Sequence, residues 1–231
     1  MESAAKPNTP CRLPRRPWIK VCGITNPEDA RVAIRAGADA LGFNFWEKSK
    51  RFVRSSEAAD WMLGLAGQID RVGVFVNAEP RFVEELLAGG IIDTAQFHGD
   101  EGAEYEAPFA AAGAHFIKAL PVRDRAALDG VGDHGTGIVL LDACVPGEYG
   151  GTGVQLDWNL ARELVRSHRG FDIVLSGGLG PDNVAEGIRQ VGPAGVDVAS
   201  GVELGGNPRR KDPAKVKAFV ERARTAFREI A

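Results

Sequence analysis

The sequence predicts an α/β fold, a single-domain (β/α)8 or TIM barrel, from three observations. First, eight apolar, strand-like segments alternate with helical segments, and strands that alternate with helices form a parallel sheet. Second, the last two strands end in matching small-residue turns, Ser176-Gly177-Gly178 and Ser200-Gly201, as in barrels that bind phosphate. Third, 231 residues is an ordinary length for one such domain.

Four strand–helix pairs fill the first half of the chain. Asn26-Pro27 followed by acidic residues is typical of a helix start, and Gly37 ends that helix. Ser55-Ser56-Glu57 caps the second helix. The predicted strands are residues 18–24, 40–45, 72–76 and 94–98, and the helices follow at 26–37, from 55 onward, 80–87 and 101–112.

The second half repeats the alternation. Apolar residues at helical spacing from Val216 to Phe227, behind Asp212-Pro213, predict the last helix. The predicted strands are residues 115–120, 138–143, 173–175 and 196–198. The predicted helices are residues 123–128, 156–167, a short one before the last strand, and one from 212 onward.

Residues 1–16 are predicted to stand apart from the barrel. They are rich in proline and basic residues and lack the apolar core of a signal peptide, so we interpret them as a disordered extension. Residues 17–231 then form the catalytic barrel domain, because we find no internal repeat and no linker within them.

Composition restricts the partners. The formal net charge is −3, which gives no reason to expect nucleic acid or an anionic membrane as partner. Cys11, Cys22 and Cys144 are too few for a disulfide framework, and no His/Cys spacing indicates a metal site. No apolar run reaches transmembrane length. We expect a cytoplasmic protein, a monomer or homodimer, that binds a small molecule without metal or cofactor.

Small residues after the last strands predict a phosphate site. Turns without side chains let backbone N–H groups approach an oxyanion, and Gly177, Gly178, Ser200 and Gly201 provide two such turns. The glycine-rich loop after the sixth strand contains Gly151, Thr152 and Gly153 and is predicted to be a lid or a further phosphate contact. Alternatively, these glycines serve only tight turns and chain flexibility.

Two strand ends carry candidate acid–base residues. Asp142 shares a strand face with Leu140, and Cys22 ends the first strand. Strands one and six lie far apart in an eight-membered ring, so these side chains would face each other across its mouth as an acid and a base. The alternatives are a helix-capping Asp142 and a Cys22 that is only a small buried apolar residue.

His98 and Arg51 are candidate substrate-binding residues. His98 ends the fourth strand, where it either donates a hydrogen bond to the substrate or orients the helix start at Asp100-Glu101. Arg51 lies in the loop after the second strand, where its guanidinium either holds a carboxylate bidentately or belongs to a solvated basic loop.

Together, these motifs resemble the phosphoribosylanthranilate isomerase family of tryptophan biosynthesis. The resemblance implies a (β/α)8 barrel that converts N-(5-phosphoribosyl)anthranilate to 1-(2-carboxyphenylamino)-1-deoxy-D-ribulose 5-phosphate by an Amadori rearrangement, without metal or cofactor. The matching segments run collinearly from about residue 18 onward: residues 20–25, 42–43, 49–53, 73–77, 96–101, 141–143, 150–153, 175–179 and 195–203.

The resemblance also implies the role of each site residue. Asp142 is expected to be the general acid, Cys22 the general base, and Arg51 the ligand of the anthranilate carboxylate. The remaining family residues are expected to hold the phosphate through backbone groups: Gly151, Thr152, Gly153, Gly177, Gly178, Ser200 and Gly201.

Three alternatives stay open at this point. One is another phosphosugar barrel, such as an indole-glycerol-phosphate synthase, which would use a lysine at a strand end, and Lys118 is the candidate. Another is a phosphate-ligand binder without catalysis. A third is an enzyme that acts on substrates of both tryptophan and histidine biosynthesis.

Overall fold

The computed structural model describes residues 11–143 and 156–231, which form a closed barrel of eight parallel strands. Neighbouring strands pair in sequence order, and β8 pairs with β1 to close the ring. The predicted (β/α)8 barrel is thereby confirmed. The strands are β1 Trp18–Cys22, β2 Ala40–Asn44, β3 Asp70–Phe75, β4 Thr94–Phe97, β5 Phe116–Val122, β6 Ile138–Ala143, β7 Asp172–Leu175 and β8 Gly195–Val198.

Helices surround the ring. The Asn26 side chain accepts a hydrogen bond from the Asp29 N–H at the start of α1, and Gly37 ends α1 in the left-handed conformation that glycine favours, with φ of 88°. The described α-helices are α1 Pro27–Ala36, α2 Ser55–Leu63, α3 Pro80–Ala88, α4 Ala103–Ala111, α5 Trp158–Ser167, α6 Val184–Val191 and α7 Pro213–Ile230.

Two elements differ from the sequence prediction. A 3₁₀ helix, Arg125–Asp133, replaces the α-helix predicted at residues 123–128. Gly130 and Gly132 lie in it, and glycine disfavours a regular α-helix. After β8 and a short 3₁₀ turn, β9 (Glu203–Leu204) and β10 (Asn207–Lys211) form an antiparallel hairpin that the sequence analysis did not predict.

The buried apolar residues form two clusters, one on each side of the strand ring. The inner cluster contains Trp18, Ile117, Ile138 and Leu140, whereas the outer cluster joins the strands to the helices. Successive strand residues face opposite sides of a sheet. By this alternation Lys20 and Cys22 share the inner face with Trp18, Asp142 shares it with Leu140, and Gln96 and Asp197 fall on the inner faces of β4 and β8.

Residues 11–16 pack against the N-terminal end of the barrel. Leu13 is buried in the inner cluster, and its N–H donates to Asp172 Oδ2 over 3.0 Å. The Gly137 N–H donates to the Cys11 carbonyl over 3.1 Å. The expectation of a disordered extension therefore does not hold for residues 11–16, because Leu13 fills the lower end of the barrel. Residues 1–10 lie outside the described residues.

No helix within the described part of the chain is both long and apolar enough to cross a lipid bilayer.

Candidate active site

A pocket opens at the C-terminal ends of the strands, where barrel enzymes carry their catalytic groups. Residues from seven strand ends or the loops after them line it, all except β5. Of the predicted site residues, the pocket contains Cys22, Arg51, His98, Asp142, Gly177, Gly178 and Ser200. Gly151, Thr152 and Gly153 lie outside the described residues.

Cys22 reaches the pocket because its neighbour on β2 is a glycine. Cys22 pairs in register with Gly42, and a Cβ atom at Gly42 would lie 2.6 Å from Cys22 Sγ. One inner-face position deeper, the fully buried Lys20 donates from Nζ to Asp197 Oδ1 over 3.0 Å. A thiol with a buried ion pair beneath it therefore forms one wall of the pocket.

Burial and the surrounding charges act on the Cys22 thiol in opposite directions. Burial raises the pKa of Cys22 most strongly. The Lys20 ammonium lowers it, Asp197 raises it, and the Lys211 ammonium lowers it. Because burial outweighs the rest, the pKa of Cys22 lies above its ordinary value. Burial also disfavours the Lys20 ammonium, but Asp197 and Cys22 more than offset this, so the pKa of Lys20 is raised.

Asp142 lies in the pocket, and a histidine holds its carboxylate. Its Oδ1 accepts from the Ala143 N–H over 3.0 Å, and its Oδ2 lies 3.2 Å from His98 Nε2. The Gln96 amide nitrogen lies 3.2 Å from His98 Nδ1. If Gln96 donates to Nδ1, the imidazole proton sits on Nε2 and points at Asp142. Of the two alternatives for Asp142, the structure favours the one in which its carboxyl group faces the pocket over the helix cap.

His98 does not orient the start of the following helix. Glu101 makes the contacts there, with Oε1 accepting from the Asn77 N–H and Oε2 from the Gly99 N–H, both over 2.7 Å. The contacts of His98 are instead with Gln96 and Asp142. The structure thus places His98 against the candidate acid.

Arg51 is an ordered residue of the pocket wall rather than part of a solvated loop. Its side chain is only 12% exposed, and its Nε donates to Glu203 Oε1 over 2.6 Å. A Cβ atom at Gly23 would lie 2.3 Å from Arg51 Cδ, so this path for the side chain requires glycine. Because Nε pairs with Glu203, the two terminal nitrogens form the edge of the guanidinium that can bind a substrate carboxylate.

Close packing holds the two small-residue turns together. Gly177 and Gly178 have φ values of 79° and 67°, which favour glycine. A Cβ atom at Gly201 would lie 2.0 Å from the Leu179 carbonyl oxygen. Gly201 therefore packs the turn after β8 against the turn after β7, and it is Gly177, Gly178 and Ser200 that line the pocket.

Several charged and polar residues around the pocket were not predicted from the sequence. Lys20 and Asp197 stand inside apolar strands, and Gln96 precedes His98 by two residues. The alternation of strand faces could have predicted all three. Lys20 shares the face of Cys22, and Gln96 and Asp197 lie on the inner faces of their strands. Glu203 and Lys211 depend on the unpredicted hairpin and gave no comparable signal.

Lys118 lies on the other side of the barrel wall. Its Nζ donates to Glu101 Oε2 over 3.1 Å and to the Gly99 carbonyl over 2.9 Å. It shares a strand face with Phe116, a residue of the outer cluster, and it does not line the pocket. The alternative that used Lys118 as a strand-end catalytic lysine therefore loses its support.

Within residues 11–143 and 156–231, no group of three or more His, Cys, Asp or Glu side chains is arranged to hold a metal ion.

The fold and the pocket together define a class of protein, a (β/α)8-barrel enzyme with a thiol, a carboxyl group and two small-residue turns at the C-terminal end of its barrel. Residues 19–222 match the family model described as N-(5'phosphoribosyl)anthranilate (PRA) isomerase. The chain belongs to this family, and it is an isomerase of tryptophan biosynthesis.

Individual relatives agree with the family match. An N-(5'-phosphoribosyl)anthranilate isomerase from Trichlorobacter lovleyi is 46% identical over 210 residues, which cover 90% of this chain and 98% of the relative. The crystal structure of the Thermotoga maritima phosphoribosyl anthranilate isomerase superposes with a TM-score of 0.80 at 37% identity, covering 90% of this chain and 98% of that one.

A third relative was crystallised with a ligand. It is a phosphoribosyl anthranilate isomerase in complex with reduced 1-(o-carboxyphenylamino)-1-deoxyribulose 5-phosphate. Its TM-score is 0.74 at 34% identity, over 90% of this chain and 98% of that one.

Proposed function

We propose that this chain isomerises N-(5-phosphoribosyl)anthranilate to 1-(2-carboxyphenylamino)-1-deoxy-D-ribulose 5-phosphate with Asp142 as general acid and Cys22 as general base. The observation that carries this assignment is that both residues line one pocket together with Arg51 and the turns after β7 and β8. An acid, a base, a carboxylate ligand and a phosphate ligand are the four groups that the reaction requires.

The reaction begins with proton donation by Asp142. Its carboxylic acid protonates the furanose ring oxygen, the bond from that oxygen to C1 breaks, and the anthranilate nitrogen forms a Schiff base. The Schiff base acidifies the C2–H bond, and Cys22 thiolate removes that proton to give an enolamine. Tautomerisation of the enolamine gives the ketone product. Acid and base catalysis contribute roughly 10²–10⁴-fold each in such reactions.

His98 and Lys20 support these two groups. The His98 Nε2 contact fixes the orientation of the Asp142 carboxyl group at the mouth of the barrel. The Lys20 ammonium favours the thiolate form of Cys22 against the effect of burial. Because the pKa of the thiol stays raised, the thiolate fraction is small near neutral pH, and each thiolate is a correspondingly stronger base. In the pH range where Asp142 stays protonated, we therefore expect kcat/KM to increase with pH as the thiolate fraction rises.

Two anion subsites orient the substrate between the acid and the base. Arg51, held through Nε, presents its terminal nitrogens to the anthranilate carboxylate. Backbone N–H groups of Gly177, Gly178 and Ser200 bind the phosphate, with Gly201 keeping the two turns in contact. The segment with Gly151, Thr152 and Gly153, which lies outside the described residues, stays a predicted further contact. A cytoplasmic location and a monomeric or homodimeric state also stay predictions.

The test of the acid–base assignment follows the loss of phosphoribosylanthranilate fluorescence. Cys22→Ala and Asp142→Asn should each lower kcat by roughly 10²–10⁴-fold. Cys11→Ala, at the opposite end of the barrel, and Asp60→Asn, on the exposed face of α2, are the matched controls and should keep wild-type rates. A Cys22→Ala or Asp142→Asn variant with wild-type kcat would refute the role of that residue.

A second experiment addresses the phosphate subsite. Ser200→Asp places a negative charge in the turn after β8 and should weaken the binding of reduced 1-(o-carboxyphenylamino)-1-deoxyribulose 5-phosphate by at least about tenfold. Ser200→Asn has the same size without the charge, and it should bind the ligand more tightly than Ser200→Asp. Equal affinities of the two variants would contradict a phosphate at this turn.

A further inference from the structure

We infer that Lys211 is a positioning residue that links the phosphate-binding turn after β8 to the carboxylate-binding guanidinium of Arg51. This inference rests on the proposed function, because it explains how the two anion subsites are held at a fixed separation. Lys211 itself does not line the pocket. Its effect on the substrate is therefore transmitted through the residues that it contacts.

The hairpin β9–β10 brings Lys211 to this position. Lys211 pairs in register with Glu203, so both side chains leave the hairpin at the same place. The Lys211 N–H donates over 2.9 Å to Asp29 Oδ2, a fully buried contact at the start of α1. Lys211 is 2% exposed. The hairpin thus carries an ammonium group into the protein behind the rim of the pocket.

The first contact of this ammonium fixes the turn after β8. Lys211 Nζ donates to the Ala199 carbonyl oxygen over 2.9 Å, and Ala199 and Ser200 both line the pocket. The Ala199 carbonyl and the Ser200 N–H belong to one planar trans peptide and point in opposite directions. By holding the carbonyl, Lys211 also sets the direction of the Ser200 N–H, one of the phosphate donors.

The second contact reaches Arg51. Lys211 Nζ lies 3.7 Å from Glu203 Oε1, and the same oxygen accepts from Arg51 Nε over 2.6 Å. Glu203 is therefore shared between two cations, and its position determines which way the guanidinium edge faces. A continuous series of contacts runs from the phosphate turn through Lys211 and Glu203 to the carboxylate subsite.

The charge on Lys211 agrees with this arrangement. Burial lowers the pKa of Lys211 to about 8, and Glu203 is the main group that opposes the decrease. The ammonium form therefore predominates at neutral pH, where it can hold both the carbonyl and the carboxylate. The other charged or titratable groups that act on it are Cys22, Arg51 and Asp197, with Asp29 at its backbone N–H.

The test compares how protein variants respond to trimmed ligands. The ligands are reduced 1-(o-carboxyphenylamino)-1-deoxyribulose 5-phosphate and two forms of it, one without the carboxylate and one without the phosphate. Calorimetry gives the Kd of each ligand. The trimming penalty is the Kd of a trimmed ligand divided by the Kd of the full ligand. In Lys211→Met both penalties should decrease, each by roughly tenfold. In Glu203→Gln the carboxylate penalty should decrease more than the phosphate penalty, because the Lys211 contact to the Ala199 carbonyl does not depend directly on Glu203.

The matched control is Lys217→Met, an exposed lysine of α7 whose penalties should equal those of the wild type. Wild-type penalties in a folded Lys211→Met protein would reduce Lys211 to a structural residue and overturn the inference. If that variant does not fold, Glu203→Gln decides, because an unchanged carboxylate penalty would break the link to Arg51. A wild-type protein that shows neither penalty would refute the proposed subsites themselves.

Discussion

Two buried lysine–carboxylate pairs lie on opposite faces of the same barrel wall. Lys20 and Asp197 are 3.0 Å apart on the inner side, whereas Lys118 and Glu101 are 3.1 Å apart on the outer side. Both lysines stand in the middle of apolar strands and are almost fully buried. The chemistry of the two pairs is the same, and the side of the wall is what differs.

The partners of each pair show the consequence. Glu101 also accepts from the Asn77 and Gly99 N–H groups, so the outer pair joins the loops after β3 and β4. The inner pair instead lies beneath Cys22, and its Asp197 lines the pocket. The Lys118–Glu101 pair therefore stabilises the loops after β3 and β4. The Lys20–Asp197 pair contributes to the electrostatic potential at the pocket.

The largest effect is expected when the inner pair is broken. Lys20→Met removes the cation that lowers the pKa of Cys22 and leaves Asp197 buried without its partner. We expect kcat/KM to decrease roughly 100-fold, because the thiolate becomes harder to form. For the same reason, the pH range in which kcat/KM rises should move to higher pH. A pH–rate profile of the variant tests this, and an unshifted range would show that Lys20 does not act on the thiol.

Breaking the outer pair should affect folding more than catalysis. Lys118→Met leaves the Glu101 carboxylate buried without its cation, which typically costs about 3–5 kcal/mol of unfolding free energy. We expect a lower urea midpoint, while kcat/KM of the folded protein stays within about tenfold of the wild type. If Lys118→Met lost as much activity as Lys20→Met, the effect on catalysis would not depend on which face of the barrel wall carries the ion pair.

A third buried lysine gives an intermediate effect that depends on pH. Lys211 has a pKa of about 8 in the folded protein and an ordinary value of 10.5. Between these values the unfolded chain binds the proton and the folded protein does not, so stability from this group rises with pH. Relative to Lys211→Met, the wild type should gain roughly 1–3 kcal/mol of unfolding free energy from about pH 7 to about pH 10. Urea titrations at both pH values measure this, and a constant difference would contradict it.

The smallest effect is expected for a pair that is exposed. Lys217 and Glu221 are 3.8 Å apart on the surface of α7, and both side chains are more than 60% exposed. Lys217→Met should change the unfolding free energy by less than about 0.5 kcal/mol, because solvent and salt screen the pair. Thermal and urea unfolding measure it. A change comparable to that of Lys118→Met would show that burial is not what distinguishes these pairs.

The sequence predicted the ring of strands, and local patterns also pointed to several residues that line the pocket. Residues 138–143 were predicted as a strand and form β6 with the same bounds, and the alternation of faces places Asp142 inward. Cys22 and the glycine turns follow from strand ends and small residues, whereas the role of Arg51 came only from the resemblance to the isomerase family. These signals are read within a few positions of one another along the chain.

What the sequence did not predict depends on contacts between distant residues. The Lys20–Asp197 pair joins positions 177 residues apart, and the contact from Lys211 to Asp29 spans 182. No local pattern indicates such a partner, and none predicted the hairpin that contains Lys211. The packing of residues 11–16 was missed because proline-rich composition outweighed the single apolar residue Leu13.

The position of Leu13 has a practical consequence for anyone who prepares this protein. Because Leu13 closes the lower end of the barrel, a truncation that begins at Pro17 would expose the inner cluster to water from below. Such a shortened chain should keep every residue of the pocket and yet be prone to aggregate on heating. Affinity tags are better joined ahead of Cys11, with the native residues from there onward left in place.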